Sequence, residues 1–95
     1  MDKRRKNLAP GALLAPIPPA VVTVGDYENA NMLTIAWTGI LATQPPKTYI
    51  SVRPSRHSYK MLKEKGEFVI NLPTVALAKQ VDYAGIYTGA TVDKF

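Results

Sequence analysis

The chain has 95 residues, a formal net charge of +5, no cysteine and a single histidine, His57. A chain of this size forms one domain with a thin core. The lack of cysteine excludes a disulfide framework and a thiolate metal site, and one histidine does not make a histidine-rich one, so we expect no metal. No apolar run approaches ~18 residues and no signal-peptide pattern occurs, so we expect a cytoplasmic protein without membrane contact.

Residues 1–15 are predicted to form a basic, proline-rich tail. Lysine and arginine fill positions 3–6 without accompanying apolar positions, which is typical of a solvated, disordered segment. Four prolines from Pro10 to Pro19 then exclude a helix and favour extended backbone. We therefore expect the folded domain within residues 16–95.

Two strands are predicted in the first half of this domain. Ala20–Val24 is apolar and β-branched, and turn residues follow it. Asn31–Leu41 alternates small or hydroxylated residues with large apolar ones, and this period of two indicates one continuous strand. The face that carries Thr34, Ala36 and Thr38 would let another group lie close to the backbone.

The second half is predicted to add two strands and two short helices. A proline ends each strand, and a serine or threonine begins each helix. The predicted strands are Lys47–Arg53 and Glu67–Leu72, and the predicted helices are Ser55–Lys65 and Thr74–Tyr83. We expect Gly66 to stop the first helix. The buried side of the second helix is expected to comprise Ala76, Leu77, Val81 and Ala78.

These elements predict a mainly β fold with two short helices (α+β), built on a curved antiparallel sheet. The second and third strands are joined by only Ala42–Pro46, which is too short for a parallel crossover. An open sheet of four strands leaves edges and an uncovered face. We therefore expect the sheet to close by dimerisation or through further sequence.

The segment Ser51–Tyr59 has the composition of an anion site. It holds three serine hydroxyls and two guanidinium groups within eight positions, a donor density that suits a phosphate monoester. The surrounding stretch, Lys47–Lys65, is also strongly basic. The alternative is that Ser55 only caps the helix while Arg53 and Arg56 are solvated.

Five blocks of this sequence, in this order and spacing, resemble the flavin reductase-like family, in particular its flavoredoxin branch. The blocks are Val22-Thr23-Val24, Asn31-x-x-Thr34-x-Ala36-Trp37-Thr38-Gly39, Ile50-Ser51-Val52-Arg53-Pro54-Ser55-Arg56-x-Ser58-Tyr59, Gly66-Glu67-Phe68-Val69-Ile70-Asn71-Leu72-Pro73 and Asp93-Lys94-Phe95. The resemblance implies an FMN-binding split barrel, of which this chain would form the N-terminal part. It also implies a homodimer with flavin near the subunit interface.

The resemblance further implies which residues contact the flavin. Asn31, Trp37 and Thr38 would lie beside the ring, with backbone groups of Thr34 to Thr38, including Ala36, contributing. The phosphate would be approached by Ser51, Arg53, Ser55, Arg56 and Ser58. Lys94 would contact the flavin and stabilise its reduced, anionic form.

Each of these residues also has a structural interpretation. Trp37 suits core packing, Asn31 suits a turn or strand entry, and Lys94, next to the C-terminus, suits a solvated position. We expect His57 to be exposed and outside the chemistry. No catalytic residue is predicted.

The function implied by the resemblance is an NAD(P)H-dependent flavin oxidoreductase or flavoredoxin-like electron carrier, passing hydride from NAD(P)H to FMN and electrons on to an acceptor. No Gly-x-Gly-x-x-Gly stretch occurs, so a nicotinamide would bind directly over the flavin. Family members are generally longer, which leaves open a non-catalytic split-barrel fragment or dimerisation module without flavin. A small basic β-module for single-stranded nucleic acid is the less favoured alternative.

Overall fold

A computed structural model describes residues 4–12, 14–26 and 28–95. In this part of the chain it contains five strands, one 3₁₀ turn and two α-helices. The strands are β1 (Ala20–Gly25), β2 (Ala30–Ile35), β3 (Thr38–Thr43), β4 (Pro46–Ile50) and β5 (Val69–Asn71). The helices are α1 (Ser58–Lys65) and α2 (Ala78–Ile86), and the 3₁₀ turn is Val75–Leu77. The predicted basic tail falls partly outside the described residues, and its described residues 4–12 are exposed.

The strands form two antiparallel sheets. One sheet has the order β2-β1-β5, and the other is the β3–β4 hairpin. The mainly β, α+β fold with antiparallel pairing is therefore confirmed. The number of strands was wrong, because the predicted strand Asn31–Leu41 is two strands, β2 and β3, in different sheets.

The break falls at Ala36 and Trp37, and the register of β1 explains it. Ala20 of β1 pairs with Ile35 of β2 at the end of their ladder. The residue before Ala20 is Pro19, which has no N–H to extend the pairing. The chain therefore leaves the first sheet after Ile35 and begins to pair with β4 at Thr38.

The core lies on one face of the first sheet, where residues from the end of β4 and the segment after it pack against β1 and β2. Alternate residues of β1 and β2 are buried, and for β2 the period of two predicted this alternation. The core cluster comprises Ala20, Val22, Leu33 and Ile35, with Ile50, Val52 and Ile70 packed against it. This thin core fixes the position of β2, which forms one side of the candidate site.

Several predicted boundaries were wrong by a few residues. The strand predicted over Lys47–Arg53 is β4, which ends at Ile50. The strand predicted over Glu67–Leu72 is β5, which spans only Val69–Asn71. Helix α1 begins at Ser58, so Ser55 is not its N-cap; His57 holds that position without a side-chain hydrogen bond. Gly66 does end α1, with a left-handed φ of 69° and its N–H on the carbonyl of Leu62.

The second helix also differs from the prediction. It begins as a 3₁₀ turn and continues to Ile86, past the predicted end at Tyr83. Its buried residue is Ala84, whereas Leu77 is 47% exposed. Val81 is half-buried, and the other predicted core positions, Ala76 and Ala78, are exposed. The tighter turn at its start rotates the helix, so a buried face deduced from α-helical spacing alone was misplaced.

Candidate functional site: a cleft between strand β2 and the arginine corner

A cleft of about 390 Å³ lies where the chain passes from β2 to β3 and meets the segment that follows β4. Its lining consists of Leu33, Thr34, Ile35, Ala36, Trp37, Ser51, Val52, Arg53, Ser55 and Arg56. This volume falls in the range of small-molecule sites. The structure therefore brings together two segments that were predicted separately. One is the end of β2 with Trp37 just after it, and the other is the hydroxyl- and guanidinium-rich segment Ser51–Arg56, which we call the arginine corner.

Trp37 forms one end of the cleft. Its side chain is 41% exposed, so the core-packing interpretation is wrong. The Cζ atom of Arg53 lies 5.5 Å from the centre of the indole ring, within the range of a cation–π contact. The backbone N–H of Ser51 donates to the carbonyl of Trp37 over 2.9 Å. An aromatic face and a fixed cation are thus available to a planar ligand at this end.

Both arginines of the corner project from one tight turn. Pro54 follows Arg53, and the N–H of Arg56 donates to the carbonyl of Arg53 over 3.0 Å. Arg56 is half-buried, and its Nη2 donates to the carbonyl of Thr34 over 3.2 Å. That bond uses one of the five N–H groups of the guanidinium, so the others remain chemically able to bind an anion.

Lys94 lies on the same edge of β2 as Arg56. Its Nζ donates to the carbonyls of Met32 and Ala84, both over 2.9 Å. Lys94 is therefore not simply solvated, as its place near the C-terminus suggested. Burial and the nearby Arg56 guanidinium both lower the pKa of Lys94. Arg56 and Lys94 thus donate hydrogen bonds to backbone carbonyls of β2, the edge strand of its sheet. Because these carbonyls are already paired, another strand cannot pair with them at this edge.

A second, smaller cavity of about 110 Å³ adjoins the cleft and shares Leu33, Ser55 and Arg56 with it. The further polar groups around it include Asn31, Ser58 and Lys94. His57, exposed as predicted, also lines it.

The predicted site residues fall into two groups. Those that line the main cleft are Thr34, Ala36, Trp37, Ser51, Arg53, Ser55 and Arg56. Those that line the smaller cavity with Arg56 are Asn31, Ser58 and Lys94. Thr38 lies outside both groups. It lines a third cavity of about 400 Å³ that also includes Trp37, and its hydroxyl donates to the carbonyl of Tyr49 over 2.7 Å. Whether each residue contacts a ligand remains a prediction.

Some lining residues were missed by sequence reasoning. Leu33 and Ile35 were assigned to the core alone, yet they also form the apolar floor of the cleft. Gly89, in the smaller cavity, carries no local sequence signal, because its position depends on a contact with Asn31. The alternation of large apolar residues along β2 could have predicted Leu33 and Ile35, because a strand beside a cleft can present its buried face to the cavity as well as to the core.

Two kinds of feature are absent from the described ranges. Residues 4–12, 14–26 and 28–95 contain no group of three or more histidine, cysteine, aspartate or glutamate side chains that could hold a metal ion. Within those same ranges, no helix has the length and apolar character needed to cross a membrane.

The chain thus has an antiparallel β fold with a cleft that combines an aromatic end and a cationic corner. Comparison with known proteins gives the family: residues 14–95 match the flavin reductase like domain. The chain therefore belongs to the flavin reductase-like family.

Two solved structures place this fold more narrowly. The flavoredoxin of Desulfovibrio vulgaris (Miyazaki F) superposes with a TM-score of 0.84 at 37% identity, covering 96% of this chain and 50% of that one. An FMN-binding protein from Thermus thermophilus, solved with bound 1-cyclohex-2-enone, has a TM-score of 0.84 at 27% identity, covering 99% of this chain and 53% of that one. The fold is thus the FMN-binding split barrel of flavoredoxins.

Curated relatives in sequence do not add an activity. An uncharacterized protein of Archaeoglobus fulgidus is 35% identical over 71 residues, which cover 75% of this chain and 40% of that protein. The chain spans about half the length of the flavoredoxin and less than half of this relative.

The residues present fit FMN. The ligand needs an apolar or aromatic surface for its ring and several donors for its phosphate. The cleft supplies Trp37 and small residues at one end, and two guanidinium groups with two serine hydroxyls at the corner. No acidic side chain is among the residues that line the cleft, so a phosphate would meet no like charge there.

Proposed function

We propose that this chain binds FMN in the cleft and serves as the flavin-binding part of a flavin reductase-like oxidoreductase or flavoredoxin-like electron carrier. The observation that carries the proposal is the meeting of Trp37, Arg53 and Arg56 around one cavity of about 390 Å³. The resemblance to an FMN-binding protein and to a flavoredoxin supports the same ligand.

The two ends of the cleft take different parts of the ligand. Trp37 and the Ala36–Thr38 backbone would hold the ring, because the small side chains there permit close approach. The phosphate lies at the corner, where Arg53 and Arg56 supply charge-assisted hydrogen bonds and Ser51 and Ser55 supply hydroxyl donors.

FMN, when bound, supplies hydride and electron transfer, and the protein orients it and sets its electrostatic surroundings. The electron donor we propose is NAD(P)H, with a downstream acceptor. Trp37 and the cleft backbone would hold the ring, and a nicotinamide would bind directly over it. Arg56 and Lys94 place positive charge along β2, and Arg53 places it next to Trp37; this charge would favour negative charge on a reduced ligand.

The direct test is a titration of the purified chain with FMN, followed by quenching of flavin fluorescence. The double variant Arg53→Ala, Arg56→Ala is expected to raise the Kd by on the order of 100-fold, since each charge-assisted hydrogen bond contributes about 1.5–3 kcal/mol. The matched control is Arg5→Ala, Lys79→Ala, which removes two exposed positive charges outside the cleft. This control is expected to bind FMN like the parent chain.

Two results would contradict the proposal. The first is a folded parent chain that fails to bind FMN, which would favour the alternative of a split-barrel domain without flavin. The second is an equal loss of affinity in the control and in the arginine variant, which would show that binding depends on general surface charge. FMN-dependent oxidation of NADPH or NADH by the loaded protein then tests the oxidoreductase step separately.

We further propose that a second copy of the chain covers its exposed apolar surface. Ile40 and Leu41 on β3 are 81% and 65% exposed, and Leu72 and Val75 after β5 are 84% and 94% exposed. Side chains of this size gain free energy when another surface covers them. Sedimentation equilibrium is expected to give twice the chain mass of 10.4 kDa; a monomer at all concentrations would contradict this.

A further inference from the structure

A buried contact joins three segments that are far apart in sequence. Asn31 in β2 is 6% exposed, and Ser58 at the start of α1 is 1% exposed. The Nδ2 of Asn31 donates a hydrogen bond to the Oγ of Ser58 over 2.6 Å. Gly89, in the loop after α2, lies against the same amide. We call these three residues the Asn31 cluster.

Gly89 leaves no room for a side chain. A Cβ atom at this position would come within 3.0 Å of the Oδ1, Cγ and Nδ2 atoms of Asn31, closer than real Cβ atoms approach. The loop is held by its own turn, in which the carbonyl of Thr88 accepts from the N–H groups of Thr91 and Val92 over 3.2 and 3.1 Å. Any side chain at Gly89 would therefore displace the amide of Asn31.

The cluster is connected to the arginine corner through the backbone. Ser58 is the first residue of α1. The next residue, Tyr59, donates its N–H to the carbonyl of Arg56 over 3.1 Å, and Arg56 donates its N–H to Arg53 over 3.0 Å. A shift of Ser58 thus moves the turn that carries both guanidinium groups.

We propose that Gly89 and Asn31 are positioning residues that set the geometry of the phosphate end of the cleft through Ser58. This inference rests on the proposed function. It assigns a role to Gly89, which has no functional group of its own. It also changes the predicted role of Asn31 and Ser58 from contacting the flavin to holding the arginine corner in place. The reason is that both residues are buried and their polar side-chain atoms bond to each other.

The experiment compares FMN with riboflavin, which carries the same ring without the phosphate. In Gly89→Ala, the affinity for FMN is expected to fall about tenfold, while the affinity for riboflavin stays that of the parent chain. A merely structural defect would weaken both ligands together. Gly66→Ala is the control for lost stability without a clash, because a Cβ there meets nothing within 4 Å but the left-handed φ of 69° strains any side chain; it is expected to be less stable and to keep the parent ratio of the two affinities.

A coupling test identifies the route. In the Asn31→Ala background the crowded amide is gone, so adding Gly89→Ala is expected to cause no further loss of FMN affinity. Equal losses from Gly89→Ala in both backgrounds would overturn the proposal. Ser58→Ala, which adds no bulk, serves if Gly89→Ala fails to fold; it is expected to lower the affinity for FMN alone.

The outcomes separate this inference from the proposed function. A parent chain that binds FMN no more tightly than riboflavin would contradict the phosphate end itself. A parent chain that prefers FMN, together with a folded Gly89→Ala or Ser58→Ala that keeps the full preference, would overturn the positioning role alone.

Discussion

The three-stranded sheet and the β3–β4 hairpin are built differently. Strand β2 of the sheet lines one side of the cleft, whereas the hairpin meets the cleft only through the segments that precede β3 and follow β4. In the sheet, alternate residues of β1 and β2 are buried, and side chains tie it to distant elements, as Thr34 does by donating to the carbonyl of Val81. In the hairpin, the large apolar side chains Ile40 and Leu41 are exposed. Its side-chain hydrogen bonds are internal, such as that from Thr48 to the carbonyl of Gly39 over 2.6 Å.

The difference teaches which side of the site this chain fixes by itself. The sheet side has a core beneath it and holds Arg56 and Lys94 on carbonyls of β2. Among the described residues, the hairpin contributes only Ile50 to the packing around the core cluster, whose buried members come from β1 and β2. We infer that the sheet side determines stability and phosphate binding, and that the hairpin side depends on a covering surface.

A matched pair of isoleucines tests this contrast with the largest effect. Ile35 in β2 is 9% exposed and Ile40 in β3 is 81% exposed. Ile35→Ala is expected to lower the free energy of unfolding by about 2–5 kcal/mol, because it removes buried methylenes and leaves a cavity. Ile40→Ala is expected to change it by less than about 0.5 kcal/mol.

Urea denaturation measures both variants. It should be run at low protein concentration, so that any covering by a second copy is dissociated. Equal losses in the two variants under these conditions would break the contrast, because they would show that the hairpin has a core of its own.

Substitution of Trp37, which lies between β2 and β3, is expected to have the next largest effect, and this effect is on flavin affinity. Trp37→Ala is expected to weaken FMN and riboflavin alike by roughly tenfold, since it removes the aromatic surface and leaves the phosphate donors. Trp37→Phe keeps a ring and is expected to retain most of the affinity. Parallel fluorescence titrations with both flavins measure this, and a loss confined to FMN would contradict the proposed orientation of the ligand.

A pair of threonines, one in the sheet and one in the hairpin, tests the same contrast through a smaller change in stability. Thr34→Val removes the hydroxyl that joins β2 to α2 and leaves the carbonyl of Val81 without that partner; the expected loss of stability is about 1–1.5 kcal/mol. Thr48→Val removes an exposed bond within the hairpin, where water replaces it, with an expected loss of at most about 0.5 kcal/mol. Thermal denaturation would measure both; a larger loss in Thr48→Val would reverse the contrast.

The smallest effect concerns the pH dependence of stability. Burial and the charge of Arg56 lower the pKa of Lys94 below 10.5, so the folded chain binds this proton less tightly than the unfolded chain does. Stability conferred by this group therefore rises with pH between the lowered pKa and 10.5. Relative to Lys94→Met, the parent chain is expected to gain stability as pH increases through this window. A constant difference would contradict the assigned environment of Lys94.

The sequence predicted the parts of this molecule that depend on local pattern. The alternation in β2 and the glycine that ends α1 could be predicted because strand period and helix capping are local. The break after Ile35 was missed, since it depends on Pro19, which lies beside it only in the folded sheet. The 3₁₀ start of the second helix hid its buried face for a similar reason.

The site shows the same division. The donor-rich corner was found from composition, and Trp37 was joined to it through the resemblance of the blocks around both segments. Gly89 and the carbonyl bonds of Lys94 were out of reach, because a residue's distant neighbours are set by the tertiary fold. Sequence reasoning thus predicted which side chains line the cleft better than it predicted the contacts that hold them in place.

The measurement that tests the central claim most directly is a crystal structure of the chain grown with FMN. We expect the phosphate within hydrogen-bond distance of the Arg53 and Arg56 guanidinium groups and the ring against Trp37. Flavin bound elsewhere on the protein, or bound in the cleft with its phosphate directed away from both arginines, would contradict the account.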